Sequence, residues 1–156
     1  MTAGKALTIA AAGGWLAVMC FFSFFVAPLV FSVVDRPTAA RVVPLVLVRY
    51  YWCGAALSAL ALAGVATRGL RRRAPTALLC AMMLAMIGFA LWWLVPAVEA
   101  ARLANDHVAF VRTHRLSVAL NLATMLAAAL ILVIEALRAT GALRAERTLR
   151  AEGGQR

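Results

Sequence analysis

The polar side chains with the most chemical potential form one regularly spaced series in the last third of the chain. At steps of three and four residues, this series contains His107, Phe110, His114, Ser117, Asn121 and Met125. Such spacing places side chains on one face of a helix. Because polar groups inside an apolar helix need a partner or a function, the series predicts one of two arrangements. Either a polar lining begins at His114, or Ser117 and Asn121 hydrogen-bond a neighbouring helix.

Charged and aromatic residues flank the apolar stretches on the same expected side of the molecule. Glu99 and Arg102 have the spacing of a helical ion pair, and Arg49 is placed to extend its long stem to a polar interface. In both cases the side chains would have a structural role and would not contact a solute. We interpret the convergence as a candidate polar site, with Tyr50 and Arg115 beside it. Its members are Arg49, Tyr51, Glu99, Arg102, His114, Ser117 and Asn121.

Sulfur-containing side chains offer a different chemistry, the binding of a soft metal. Thiolate and thioether ligands suit Cu(I), but the chain has no Cys-x-x-Cys pair, and methionine also fills gaps between helices. Its two histidines lie in one stretch, so one chain cannot supply facing axial ligands to haem. We therefore expect no metal and no cofactor, and a metal- or haem-related redox protein is the third alternative. The sulfur residues of similar expected depth are Met19, Cys20, Met83, Met86 and Met125.

The sequence lacks the motifs of common soluble enzymes. It has no glycine-rich phosphate loop, no nucleophile beside a base and no paired carboxylates, and Glu135 is expected to pair with Arg138. A net charge of +10 would favour nucleic acid in a soluble protein. Here, however, the arginines cluster in short loops and in the C-terminal tail. We predict that the protein is not an enzyme and binds no nucleic acid.

The composition is that of an integral membrane protein. Hydrophobic residues make up 65% and charged residues 14% of the 156-residue chain, and mean hydropathy is +0.90, whereas soluble domains are about a quarter charged. A helix needs about 20 apolar residues to cross a bilayer. We therefore predict an all-α, integral membrane four-helix bundle, with residues 1–156 as one membrane domain. Its spans are expected at 7–34, 44–67, 75–98 and 116–137, followed by a basic tail at 138–156.

Arginines between the second and third expected spans give the strongest signal for orientation. Arg68 and the run Arg71–Arg73 occupy this short loop, and basic residues concentrate in the cytoplasmic loops of membrane proteins. With four spans, both termini then lie in the cytoplasm too. We predict a multi-pass protein of the bacterial inner (plasma) membrane, surrounded by the lipid bilayer.

Two prolines lie deep inside apolar stretches. Pro28 and Pro96 each remove a backbone donor, which predicts a helix kink at each position. Their surroundings are similar, because Ala27-Pro28-Leu29-Val30 and Val95-Pro96-Ala97-Val98 are both followed by charged residues. Spans 1 and 3 run in the same direction, so the similarity predicts a parallel two-plus-two repeat with related kinks.

Many of these residues together form the pattern of one family of small membrane proteins. The pattern resembles the bacterial domain of unknown function 4149, a family similar to the eukaryotic transmembrane protein 205. Ala40 and Pro44 stand where that family has glycine, and Leu47 stands where phenylalanine is usual. The resemblance implies a four-helix bundle in the plasma membrane and assigns no activity. It is carried by Phe25-Val26-Ala27-Pro28-Leu29-Val30-Phe31, Ala39-Ala40-Arg41, Arg49-Tyr50-Tyr51, Pro96-x-x-Glu99-x-x-Arg102 and His114-x-x-Ser117-x-x-x-Asn121.

Two functions are compatible with these observations. The first is a small transport-related or solute-binding protein with a polar site that opens outward near His114, Ser117, Asn121 and Tyr51. The second is a non-catalytic membrane scaffold or assembly partner, in which the polar residues only join helices. A water-accessible pocket lined by His114 and Asn121 would favour the first. In either case, one bundle of four helices is expected to work as a homo-oligomer or with a membrane protein partner.

Overall fold

The structure is a computed structural model that describes residues 2–153, and the side chains of residues 36, 40 and 142–153 lie outside the description. Every secondary-structure element in the described residues is helical. Most side chains of the predicted basic tail therefore lie outside the described part. The α-helices are α1 (Ala3–Phe21), α2 (Ala27–Val33), α3 (Arg36–Ala66), α4 (Ala74–Phe89), α5 (Val95–Leu103) and α6 (His107–Gly153).

These helices provide four segments that are long and apolar enough to cross a membrane. We call them span 1 (Ala3–Val33), span 2 (Pro37–Ala66), span 3 (Arg71–Leu103) and span 4 (His107–Gly141). The predicted all-α membrane four-helix bundle is thereby confirmed. Most of the helices extend beyond the predicted spans, because their ends continue into polar sequence that hydropathy alone does not include.

The start of α3 shows how local chemistry sets a helix boundary. The Asp35 carboxylate accepts a hydrogen bond of 3.0 Å from the backbone N–H of Thr38, which satisfies one of the donors at the helix N-terminus. This hydrogen bond also lowers the pKa of Asp35. The helix therefore begins before Pro44, and Pro44 lies inside it rather than near its start.

Pro28 and Pro96 each follow a widened, π-helical turn. These turns are Phe22–Val26 in span 1 and Ala90–Leu94 in span 3. The N–H of Ala27 donates to the carbonyl of Phe22, and the N–H of Val95 donates to the carbonyl of Ala90. Each donor thus reaches a carbonyl five residues back. Proline cannot donate and clashes with the carbonyl four residues earlier, so a wider turn at this point relieves the clash.

The two ends of the bundle differ in charge. The turns at Asp35 and Asp106 form one end, which we call the aspartate end; the N-terminus of α1 and the loop with Arg71–Arg73 form the other, which we call the basic end. Asp106 caps α6 as Asp35 caps α3, by accepting from the backbone N–H of Ala109 at 2.9 Å.

Large apolar side chains cover the outside of the bundle, as a lipid solvent requires. Phe24, Phe25 and Leu126 are each more than 60% exposed. The interior is filled by fully buried Trp15, Met19, Met83, Ile87, Leu94 and Ile131. Because lipid and protein interior are equally apolar, close packing rather than hydrophobicity distinguishes this core from the surface.

Two glycines allow spans 1 and 2 to pack closely. A Cβ atom on Gly64 would lie 2.6 Å from the Gly4 carbonyl oxygen and 2.6 Å from the Thr8 hydroxyl. A Cβ atom on Gly54 would lie 2.8 Å from Cε2 of the Trp15 indole ring. Only glycine fits at these contacts, and so spans 1 and 2 approach each other along much of their length.

The burial pattern repeats between the two helical hairpins. Thr8 and Met19 precede Pro28 by 20 and 9 residues. Thr76 and Ile87 precede Pro96 by the same two distances, and all four side chains are buried. The π-helical turns also stand at the same distance before each proline. This agreement supports the predicted two-plus-two repeat of spans 1–2 and spans 3–4.

Candidate functional site

The amide of Asn121 is the centre of a hydrogen-bonded group in the half of the bundle nearer the aspartate end. Its Oδ1 accepts from the Tyr50 hydroxyl at 2.6 Å, and its Nδ2 donates to Ser23 Oγ at 3.2 Å. Nδ2 also lies 3.8 Å from the sulfur of Met125. Three helical segments are joined in this way: the π-helical turn of span 1, α3 and α6.

Aromatic packing holds Tyr50 in this position. The centroid of its ring lies 4.8 Å from that of Trp15 and 4.9 Å from that of Phe22. Tyr51, the next residue, turns its hydroxyl to 3.5 Å from Ser117 Oγ. Both tyrosines are buried, because they lie on the face of α3 that meets span 1 and span 4.

Of the seven residues predicted to form the polar site, the structure brings three together. Asn121, Ser117 and Tyr51 lie within the bundle, whereas His114 is exposed and stacks on Phe110 with ring centroids 5.9 Å apart. Arg49 is exposed and donates to the carbonyl of Leu45 in its own helix at 3.0 Å. The structure therefore places His114 and Arg49 at the surface, away from the Asn121 group.

Glu99 and Arg102 form a local pair within α5. The Arg102 Nε atom donates to Oε2 of Glu99 at 2.9 Å, and a terminal guanidinium nitrogen donates to Oε1. Both side chains are about one-third exposed. The pair is therefore the helical ion pair that its sequence spacing predicted, and the two side chains bind each other within one turn of α5.

Little space remains beside Asn121. A small cavity of about 10 Å³ adjoins it, and a space of this size holds about one water molecule. Trp15 is one of the residues around this cavity, and its indole nitrogen is buried with no hydrogen-bond partner in the described residues. The lining is formed by Trp15, Tyr51, Met86, Ile87, Ala90, Leu120, Asn121 and Thr124.

A second polar group lies at the basic end, where span 4 carries a fully buried carboxylate. Glu135 is 0% exposed, and its Oε2 accepts from the Arg68 guanidinium at 2.8 Å. Arg68 also donates to the hydroxyl of Thr8 at 2.8 Å and to the carbonyl of Gly64 at 3.1 Å. This one guanidinium therefore connects spans 1, 2 and 4.

The expected pairing of Glu135 with Arg138 is present, but it is the longer of two ion pairs. The Arg138 guanidinium lies 3.6 Å from Glu135 Oε1 and donates to the Thr76 hydroxyl at 3.0 Å. Oε1 itself has no hydrogen bond within the described residues. The Arg138–Thr76 bond joins spans 4 and 3 as the Arg68–Thr8 bond joins spans 2 and 1.

Sequence reasoning did not place Arg68 in a site, and it placed Tyr50 beside the polar site without making it a member. Arg68 was interpreted as an orientation signal alone, although an arginine ending span 2 and a carboxylate ending span 4 must meet at the same end of a four-span bundle. That shared end was the available signal. For Tyr50, no such signal existed, because two adjacent tyrosines cannot show from the sequence which one faces Asn121.

Among the side chains that the structure describes, no group of three or more histidine, cysteine, aspartate or glutamate residues lies close enough together to hold a metal ion. Cys20, Cys53 and Cys80 have free thiols. The arrangement of both polar groups can join helices by hydrogen bonds and ion pairs, and at the basic end it can also hold one buried charge.

The fold and its two polar groups define a multi-pass all-α membrane protein in which side-chain hydrogen bonds connect the spans. The family model described as "Domain of unknown function (DUF4149)" matches residues 10–107. This match covers well over half of the chain, and the protein belongs to that family. No curated protein and no solved structure matches the chain.

Proposed function

We propose that this protein is a non-catalytic membrane scaffold or assembly partner, whose polar residues join its helices. The observation that carries this proposal is the use of Asn121. Both ends of its amide bind neighbouring helices, at Tyr50 and Ser23, and the adjoining cavity has room for about one water molecule. These contacts leave little of the predicted polar lining for a solute.

The proposed location is the inner membrane of a bacterium, with both termini in the cytoplasm. Arg71–Arg73 and Arg68 support this orientation, because they lie in the loop at the basic end and arginines favour the cytoplasmic side. The aspartate end would then face outward. A reporter fused after Arg73 that is active only on the outer side would contradict the orientation.

A scaffold acts through its surface, and so we propose that it works with a second copy of itself or with another membrane protein. Spans 1–4 bury few large apolar side chains relative to the number they expose. In a membrane, association depends on close packing and hydrogen bonds rather than on removing apolar area from water. The proposed role therefore needs no catalytic group and no cofactor.

Replacement of Asn121 by leucine tests the scaffold proposal. Interhelical hydrogen bonds contribute on average about 0.6 kcal/mol each, and Asn121 makes two. We expect the apparent Tm in detergent, followed by circular dichroism, to fall by a few degrees. Tyr50→Phe should produce part of this loss, and adding it to Asn121→Leu should lower the Tm little further. Leu126→Ala, which alters an exposed side chain, is the matched control.

The opposite pattern would favour a solute site. In that case Asn121→Leu would keep or raise the Tm, yet cells with normal amounts of the variant would show a growth defect. A fall in Tm with unchanged growth supports the scaffold.

A transport-related function is the second candidate, and a different observation favours it. Glu135 is a buried carboxylate within a membrane span, and such residues often belong to ion or proton pathways. Vesicles containing the protein and a trapped pH-sensitive dye would test this candidate. Proton flux that Glu135→Gln abolishes would support transport; the absence of flux above protein-free vesicles would exclude proton transport.

A further inference from the structure

An open groove separates spans 3 and 4 on the outside of the bundle. Its volume is about 500 Å³, and every residue that lines it is apolar. Small side chains form much of the wall, so the groove offers an open apolar surface along which a chain-like apolar group can lie. The lining residues are Ala85, Met86, Phe89, Ala119, Leu120 and Ala123.

The second hairpin, which carries the groove, has smaller side chains than the first at two corresponding positions. In spans 1 and 2, Trp15 and Tyr50 fill the space between the helices with ring centroids 4.8 Å apart. Trp15 precedes Pro28 by 13 residues, as Met83 precedes Pro96. Tyr50 precedes Arg68 by 18 residues, as Leu120 precedes Arg138. Of this smaller pair, Leu120 lines the groove, whereas Met83 is fully buried in the core.

Two arginines stand above this groove, toward the aspartate end. Arg115 precedes Ala119 by four residues and Arg112 precedes it by seven, spacings that place all three on neighbouring positions of one helix face. At 1.5 Å per residue, the two arginines begin about 6 Å and about 10 Å beyond Ala119 along α6. Both side chains are exposed.

An aromatic pair lies on the opposite wall of the groove. Phe89 lines the groove and stacks on Trp93, with ring centroids 5.0 Å apart and ring planes 23° apart. Tryptophan is enriched at the level of lipid headgroups. Trp93 is half-exposed, so the groove passes from an apolar floor to a mouth with an indole ring and two guanidinium groups.

We propose that this groove binds an anionic phospholipid, with one acyl chain between spans 3 and 4 and the phosphate held by Arg112 and Arg115. Charge complementarity carries the choice of ligand. The described arginines at this end outnumber its carboxylates, and each of the three carboxylates is hydrogen-bonded within its own helix terminus: Asp35 to Thr38, Glu99 to Arg102 and Asp106 to Ala109. A phosphate supplies the missing negative charge, and guanidinium groups bind phosphate with two parallel hydrogen bonds.

Lipid binding to the full-length protein tests the site directly. The detergent-purified protein is incubated with dioleoylphosphatidylglycerol or dioleoylphosphatidylcholine, which differ in charge and not in acyl chains, and retained lipid is counted by native mass spectrometry. We expect preferential retention of phosphatidylglycerol. The double variant Arg112→Gln/Arg115→Gln should weaken its binding about thirtyfold and leave phosphatidylcholine unaffected. Arg49→Gln, at an exposed arginine of the same end, is the matched control.

A second pair of variants tests the apolar part of the groove. Ala123→Leu narrows the groove and should reduce binding of both lipids, whereas Ala59→Leu, at an exposed alanine of span 2, should not. Circular dichroism confirms that each variant is folded. The proposal is overturned by equal retention of the two lipids, by an equal effect of Arg49→Gln, or by unchanged binding to Ala123→Leu. It is also overturned if Ala123→Leu breaks a complex with a second copy or another helix.

Discussion

Glu135 is the residue on which the basic end most depends. Its carboxylate is fully buried beside two guanidinium groups, so removing its charge leaves Arg68 without a counter-ion. Breaking a buried ion pair from one side costs about 3–5 kcal/mol. We therefore predict that Glu135→Gln lowers the apparent Tm in detergent by more than any change at the Asn121 group. Glutamine keeps the shape of the side chain and can still accept a hydrogen bond, so the fall in Tm measures the contribution of the negative charge.

The Glu99–Arg102 pair provides the control for this prediction. Its two side chains are about one-third exposed and lie within one turn of helix, and exposed ion pairs contribute little to stability. Glu99→Gln should leave the Tm almost unchanged in the same detergent. Equal effects at Glu99 and Glu135 would show that burial of the carboxylate has no energetic consequence.

Asp35 adds a prediction about pH. Its pKa is lowered because its carboxylate accepts the backbone N–H of Thr38. A carboxyl group whose pKa is lower in the folded than in the unfolded state stabilises the fold at pH values above its unfolded-state pKa. This stabilisation is lost as the pH falls through its folded-state pKa. The protection of the Thr38 amide, which is the slowing of its hydrogen exchange relative to that of an unstructured peptide at the same pH, should therefore fall below about pH 4. In Asp35→Ala this protection should be low at neutral pH already, without that additional acid-side change.

At the scale of single residues, the sequence predicted types of contact better than partners. Asn121 and Ser117 were predicted either to line a site or to join helices, and the structure shows hydrogen bonds that join helices. The partner Ser23 could not be predicted, because it reaches Asn121 from a π-helical turn.

At the scale of elements, close approach of helices can be tested with two glycines. An added methyl group at Gly64 would meet the Gly4 carbonyl and the Thr8 hydroxyl at 2.6 Å. Overpacking of this kind costs about 1–3 kcal/mol, so Gly64→Ala should lower the Tm and separate spans 1 and 2. Gly14→Ala is the matched control, because a Cβ atom there would have no neighbour within 4 Å.

The control also carries an expectation of its own. Alanine favours the helix by about 1 kcal/mol over glycine, and Gly14 lies within α1. Gly14→Ala should therefore keep or raise the Tm. If Gly64→Ala is equally harmless, the approach of spans 1 and 2 is looser than the structure shows.

Apolar length was sufficient to predict four spans, and the four helices confirm it. The helix boundaries were less accessible, because they depend on caps such as Asp35 and Asp106 in polar sequence. The two prolines marked the correct places for irregular turns. That each irregularity is a π-helical turn just before its proline was beyond sequence reasoning, since a simple kink would satisfy the same residues.

At the scale of the whole molecule, the bundle consists of two hairpins with one plan. Each has a proline after a π-helical turn, and each has an arginine bound to a buried threonine, Arg68 to Thr8 and Arg138 to Thr76. Glu135 interrupts the symmetry, because its first partner belongs to the other hairpin. Polar contacts thus join the hairpins near both ends: Arg68–Glu135 at the basic end, and Tyr50–Asn121 toward the aspartate end.

If the hairpins are separate units, they should assemble when the chain is cut between them. Gly69, which has a φ of +88°, lies in the loop between spans 2 and 3 and provides the position. We predict that co-expressed fragments 1–69 and 70–156, with a tag on one only, are purified together from detergent-solubilised membranes. Glu135→Gln in the second fragment should reduce recovery of the first by about tenfold or more, whereas Glu99→Gln should leave it unchanged. Fragments that insert but do not associate would show that the intact loop, rather than the polar contacts, holds the hairpins together.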